Sequence, residues 1–147
     1  MAVLDKKLQD EIETLTDLAY EKFQNNEIEQ SFKLYEQAWN LYPEPKENWN
    51  EAYNTASYVV NKCFVIKDFE RAKKWLNNMI MVNNNLHLDD EDLNFYLGRY
   101  YFETGDYVKA KEEWDDAVSE AGYRVFEGKD PKYLDFYRHP EKYIKES

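Results

Sequence analysis

Apolar residues recur along most of the chain at intervals of three and four, the spacing that gathers them on one face of a helix. Leu4, Leu8, Ile12, Leu15, Leu18 and Ala19 form the first such stripe. Leu34, Tyr35, Ala38, Trp39 and Leu41 form a second, within a helix expected over about 32–42. Asn25 and Asn26 separate the two, and asparagine tolerates the left-handed backbone that ends helices. Pro43 closes the second segment, and Pro45 fits the first turn of a long third helix over about 47–65. A fourth helix, about 69–82, follows "IKD". The run "NNNLHLDDED" predicts a loop, with Asp89 as N-cap and Asp90, Glu91 and Asp92 in the first turn beyond it. Fifth and sixth helices, about 90–103 and 107–120, join at "TGD". No alternation of period two competes, so the chain reads as all-α.

Six helices make three hairpins, and the hairpins align. Ser31, Ala72 and Ala110 coincide near the start of each second helix, followed by Tyr35, Leu76 and Trp114, then Ala38, Met79 and Ala117. Ile28, Phe69 and Tyr107 coincide at the turns, and the interval is about forty residues. Only four glycines are present, yet Gly98 stands inside the fifth helix, where glycine costs about 0.5–1 kcal/mol relative to alanine. Asp130 before Pro131 predicts a short final helix with Tyr133, Leu134, Phe136 and Tyr137 on its apolar face, stopped at His139–Pro140. Such a helix would cover the open flank of the last hairpin, as the end of a helical array requires.

Composition narrows the function. Nineteen basic and 30 acidic residues give a formal charge of −11, which opposes nucleic acid and anionic membranes and suits a basic protein partner. The start of the chain lacks the apolar core of a secretory signal, and runs such as "MIMV" are too short to span a bilayer. A lone Cys63 allows no internal disulfide and fits a reducing compartment, so the cytoplasm is the expected location. His87 beside Asp89–Asp92 lacks a second nitrogen ligand nearby, so no metal is expected there. Cys63, within "KCFVI", reads as a small buried hydrophobe without a neighbouring base, and "FEGKD" lacks the spacing of a phosphate loop. Neither catalysis nor a cofactor is expected.

Leu97, Gly98, Tyr101, Gly105, Tyr107, Ala110, Trp114 and Ala117 resemble the tetratricopeptide repeat consensus, and the resemblance extends over about 12–121. It implies one domain over 1–147: a right-handed superhelical stack of three hairpins (about 12–43, 47–83 and 90–121) closed by a C-terminal capping segment (about 122–147). In that family the mid-helix small residue lets paired helices approach closely, and the turn glycine ends the first helix. Ala19 and Asn26 hold those places in the first hairpin, Val60 and Lys67 in the second. The first helix of each family hairpin lines a concave groove. Carried over, this assigns Tyr20, Phe23, Asn61, Phe64, Phe95, Arg99 and Phe102 to partner binding, with Phe23, Phe64 and Phe102 as a recurring ladder. The Lys and Asn residues that some members use to clamp a chaperone's terminal carboxylate are not matched, since Thr16, Tyr20, Tyr58, Asp92 and Tyr96 stand there.

The strings "LYPEPKENWNEA", "NFYLGRYYFETGDYVKAKEEW" and "FEGKDPKYLDF" further resemble small bacterial tetratricopeptide proteins encoded beside polymorphic toxins and proposed to be their immunity proteins. What this implies is non-catalytic binding that neutralises a cognate toxin domain. The alternative implied by the wider family is an adaptor that binds peptides of several cellular partners.

Overall fold

The computed structural model describes residues 3–144, and among these it is helical throughout, with no strand. Three antiparallel pairs succeed one another: α1 (Lys6–Gln24) with α2 (Ile28–Leu41), α3 (Asn50–Ile66) with α4 (Phe69–Leu86), and α5 (Asp90–Glu103) with α6 (Tyr107–Ala121). A 3₁₀ turn, Gly122–Phe126, leads to the short α7 (Pro131–Arg138). The sequence reads as one domain, whereas the contacts gather into two compact units, one ending at Leu88 and the other beginning at Asp89. Residues 145–147 of the expected cap lie outside the described residues.

Each hairpin turns on the same backbone device. Asn26, Lys67 and Gly105 all take the left-handed conformation, with φ of 64°, 59° and 89°. The residue after each donates its N–H five residues back: Glu27 to Lys22 at 2.9 Å, Asp68 to Cys63 at 2.9 Å, and Asp106 to Tyr101 at 2.8 Å. This is the hydrogen-bonded reversal that satisfies the last carbonyls of a helix. Asp68 and Asp106 then cap the following helix by accepting from the amides of Arg71 and Lys109. A lysine at the second turn pays the side-chain penalty of left-handed backbone that glycine avoids at the third.

The aligned positions are also the packed ones. Ser31, Ala72 and Ala110 are fully buried, as are Ala38, Met79 and Ala117, with Tyr35, Leu76 and Trp114 between them. Ser31 is polar at a site that is alanine in the other hairpins, and its hydroxyl donates to the Ala19 carbonyl at 2.6 Å, so no polar atom is stranded. Gly98 faces Trp114 so closely that a Cβ built on it would clash with the indole at Nε1, Cδ1 and Cε2. The small residue is therefore required by one partner, the largest side chain of the facing helix.

Two expected boundaries are corrected. Pro45 does not open α3; it precedes a 3₁₀ turn at Lys46–Asn48, and α3 begins at Asn50. Lys46 is the reason the link holds: its ammonium reaches the Trp39 and Tyr42 carbonyls at 3.2 and 2.8 Å, capping the end of α2. The "NNNL" run is not a loop, because α4 continues to Leu86 and leaves only 87–89 between helices. Asn83 is buried, and Asn85 donates to the Glu47 carbonyl and the Asn48 side chain, so tertiary contacts override weak helix propensity.

In the second unit, α7 lies on the α5–α6 hairpin, with Tyr133 and Phe136 buried in one aromatic cluster with Phe95, Phe102, Trp114 and Phe126. Asp115 of α6 fastens the outer edge, accepting from Lys111 at 2.9 Å and from the Tyr137 hydroxyl at 2.7 Å. Burial alone would raise the Asp115 carboxyl, but these two hydrogen bonds outweigh it and hold the group below its ordinary value. A carboxyl held low in the fold stabilises it above the unfolded pKa of about 3.9, and the contribution is lost as pH falls through the folded value. Asp115→Asn should therefore cost about 1 kcal/mol or less at pH 7, and the gap to the wild type should close near pH 2. Urea titrations read from the α6 amide signals at both pH values measure it; a gap that persists in acid would assign the effect to something other than the charge.

Candidate protein-binding face

The seven residues assigned to partner binding divide sharply. In the second unit, Phe95 and Phe102 are 4% and 8% exposed, stacked or tilted on Trp114 and met edge-on by Tyr133. Arg99 turns toward the same cap: its Nε donates to the Tyr133 hydroxyl at 3.1 Å, and that hydroxyl donates to Glu103 at 2.6 Å, which Lys132 also approaches at 2.9 Å. In this structure these three positions form the bed of α7, which covers the aromatic surface they were expected to offer a partner. Phe64, in the first unit, is covered as well. It is 7% exposed and packs on Phe69 at the α3–α4 turn.

The remaining three lie together in the first unit. Tyr20 is 54% exposed on α1, Phe23 is half-buried one turn on against Phe32, and Asn61 is half-buried on α3. Between them stands Lys62, whose ammonium lies 5.2 Å from the Tyr20 ring centroid, 5.6 Å from Phe23 and 5.4 Å from Tyr35. No carboxylate pairs with Lys62 among the described residues, and burial pushes its pKa down. The three ring faces hold this cation instead, at roughly 0.5–2 kcal/mol each depending on desolvation. Lys62 thus fixes α3 to the α1–α2 hairpin and holds the Tyr20 ring; Tyr58, also on α3, is 46% exposed.

Next to these rings a cleft of about 220 Å³ opens between α1 and α3. Glu13 and Thr16 line it from α1, and Glu51, Asn54 and Tyr58 from α3. Its floor is Leu4, Ile12 and Tyr42, with the Tyr42 hydroxyl hydrogen-bonded to Thr55 at 2.9 Å. Burial, together with the nearby Glu51 charge, pushes the Tyr42 phenol up to about 12, although the Thr55 contact pulls the other way. The face therefore offers exposed aromatics, hydroxyl and amide groups, and two carboxylates that form no ion pair among the described residues. Such a mixture suits recognition of a protein surface.

Elsewhere the chemistry is consumed internally. A comparable cleft in the second unit, about 240 Å³ between the start of α5 and the 122–129 segment, carries its own cations. Arg124 lies 3.8 Å from Glu91, and Lys129 lies over the Phe95 ring. Asp89 caps α5 by accepting from the Asp92 amide, and His87 is the left-handed residue closing α4. Cys63 is fully buried, and burial pushes its thiol up to about 12, far from thiolate character at neutral pH. Among the described residues no group of three or more His, Cys, Asp or Glu side chains converges on a metal position, and no helix is long and apolar enough to cross a membrane.

The sequence alone marked Thr16 and Tyr58 only as places where a carboxylate clamp is not matched, and did not single out Lys62 or Glu51. Lys62 had a readable signal, being the one basic residue of α3 in a strongly acidic chain. No family model, curated protein or solved structure matches the chain.

Proposed function

We propose that this chain is a non-catalytic protein-binding module of tetratricopeptide-like architecture, a right-handed stack of hairpins closed by α7, which recognises its partner through the α1–α3 face. The observation that carries the reading is the exposed Tyr20 ring held by Lys62, next to a carboxylate-lined cleft whose rim carries the half-exposed Tyr58. The identical hydrogen-bonded turns at Asn26, Lys67 and Gly105 support the repeat architecture. The specific role we propose is that of a cytoplasmic immunity protein that holds one toxin domain in an inactive complex. It rests on the sequence resemblance, and the charge of −11 is suited to a toxin with a basic substrate cleft, since complementary charge speeds association.

The test is native capture with the tagged protein from the cells that make it, followed by calorimetric titration of whatever is enriched. One stoichiometric partner with a toxic domain, bound at roughly nanomolar affinity, is the expected result. A spread of weak, substoichiometric partners at roughly micromolar affinity would replace this reading with that of a general adaptor.

A further inference from the structure

Taking the binding reading as its setting, we propose that the α1–α3 cleft is a receptor for a single arginine side chain presented by the partner. The aliphatic stem would lie over Leu4, Ile12 and Tyr42, and the guanidinium would sit between the carboxylates of Glu13 and Glu51.

Four observations lead there. The volume, about 220 Å³, falls below the roughly 300–1,000 Å³ of sites that enclose a drug-sized ligand, and matches one long side chain. The floor is apolar, and its polar atoms are already paired with one another, Tyr42 with Thr55 at 2.9 Å. An incoming methylene stem therefore strands no buried polar group. The rim carries two carboxylates, and neither forms an ion pair with any described residue. In the second unit, by contrast, Arg124 pairs with Glu91 and Lys132 with Glu103. Two carboxylates lining one concavity favour a cationic occupant.

Arginine fits better than lysine for a geometric reason. Its planar fork presents five N–H donors and engages carboxylates in two directions at once, and it sheds its hydration more readily than an ammonium does. Asn54 and Thr16, on opposite helices, add neutral acceptors beside the carboxylates for the donors left over. The occupant is thus an arginine-bearing loop or segment of a basic partner, which agrees in sign with the −11 charge of the whole chain.

The probe is a blocked tripeptide, N-acetyl-Gly-Arg-Gly-amide, titrated into the intact protein and followed by backbone amide NMR. The lysine and norleucine analogues serve as comparisons. The expected result is saturable movement of the Glu13, Thr16, Glu51 and Asn54 signals at roughly millimolar peptide, the range open to one side chain. Binding should weaken by about fivefold in Glu13→Gln/Glu51→Gln, weaken with added salt, and be absent for norleucine. Glu13 is exposed and both replacements are near-isosteric, so the helical circular dichroism of the double variant should equal that of the wild type. An arginine peptide that moves no signal at this cleft would overturn the proposal. So would undiminished binding in the double variant, or lysine binding as tightly as arginine. Should a captured partner bind the wild type and the double variant equally, the arginine site is wrong while the binding module stands. Failure to capture any stoichiometric partner would instead remove the binding reading and leave the tripeptide result to decide the site alone.

Discussion

Gly98→Ala should destabilise the second unit by about 2 kcal/mol, although alanine is the better helix former. On propensity alone the exchange should stabilise α5 by about 0.5–1 kcal/mol. The added methyl would, however, overlap the indole of Trp114, which has nowhere to go. Its Nε1 donates to the Phe95 carbonyl at 3.1 Å, and Phe95, Phe126, Tyr133 and Phe136 surround the ring at 5.4–5.8 Å between centroids. Overpacking costs about 1–3 kcal/mol, and losing the buried indole hydrogen bond adds about 1–3 more. The steric side wins. Gly105→Ala makes an instructive contrast: no atom lies within 4 Å of its added methyl, but φ is +89°, so its cost is backbone strain alone. Urea unfolding followed by the α5 and α6 amide signals measures both. A neutral or stabilising Gly98→Ala would mean that Trp114 can leave its seat, and the account of the close helix approach would fail.

Loss of the cap should be more damaging still. Phe136 is fully buried, with Phe102 at 5.3 Å, Tyr107 at 5.7 Å, Trp114 at 5.8 Å and Tyr143 at 5.2 Å between ring centroids. Truncating such a residue costs about 3–5 kcal/mol, against a total of about 5–15 kcal/mol for a whole natural domain. Phe136→Ala should therefore leave the second unit near its unfolding midpoint. Ending the chain at Lys129 should unfold it, because Phe95, Phe102 and Trp114 would face water and Arg99 would lose the Tyr133 hydroxyl. The readouts are the near-ultraviolet dichroism of the aromatic cluster and binding of a hydrophobic dye. A truncated chain with native aromatic dichroism and no dye binding would show that α7 is dispensable and that Phe95 and Phe102 are free to meet a partner.

The helices and turns were legible because their signals are local. Apolar spacing set the faces, Asp89 and Asp130 marked two N-caps, and Asn26, Lys67 and Gly105 fell at equivalent places before each second helix. The errors arose where distant residues decide. The end of α4 reads as a loop until Asn85 is seen bonded to Glu47 and Asn48, and Pro45 reads as a helix start until Lys46 is seen capping α2. The binding residues were harder to read for the same reason. Phe23, Phe64 and Phe102 share one place in three hairpins, yet their exposure is set by what packs over them: Lys62 and Phe32, Phe69, and the cap. Lys62 needs rings from both α1 and α2 to acquire its role, and no single stretch of sequence contains them.

The claim at the centre of this account is that the α1–α3 face binds the partner. Titrating the captured partner into the wild type and into Tyr20→Ala/Tyr58→Ala, with matched helical dichroism, tests it most directly. Both rings are about half exposed, so removing them should leave the fold standing. The account predicts a one-to-one complex in the wild type and a loss of roughly a hundredfold in affinity in the variant, the scale of two aromatic anchors at an interface. Unchanged affinity in the variant would place the partner on another surface and contradict the account.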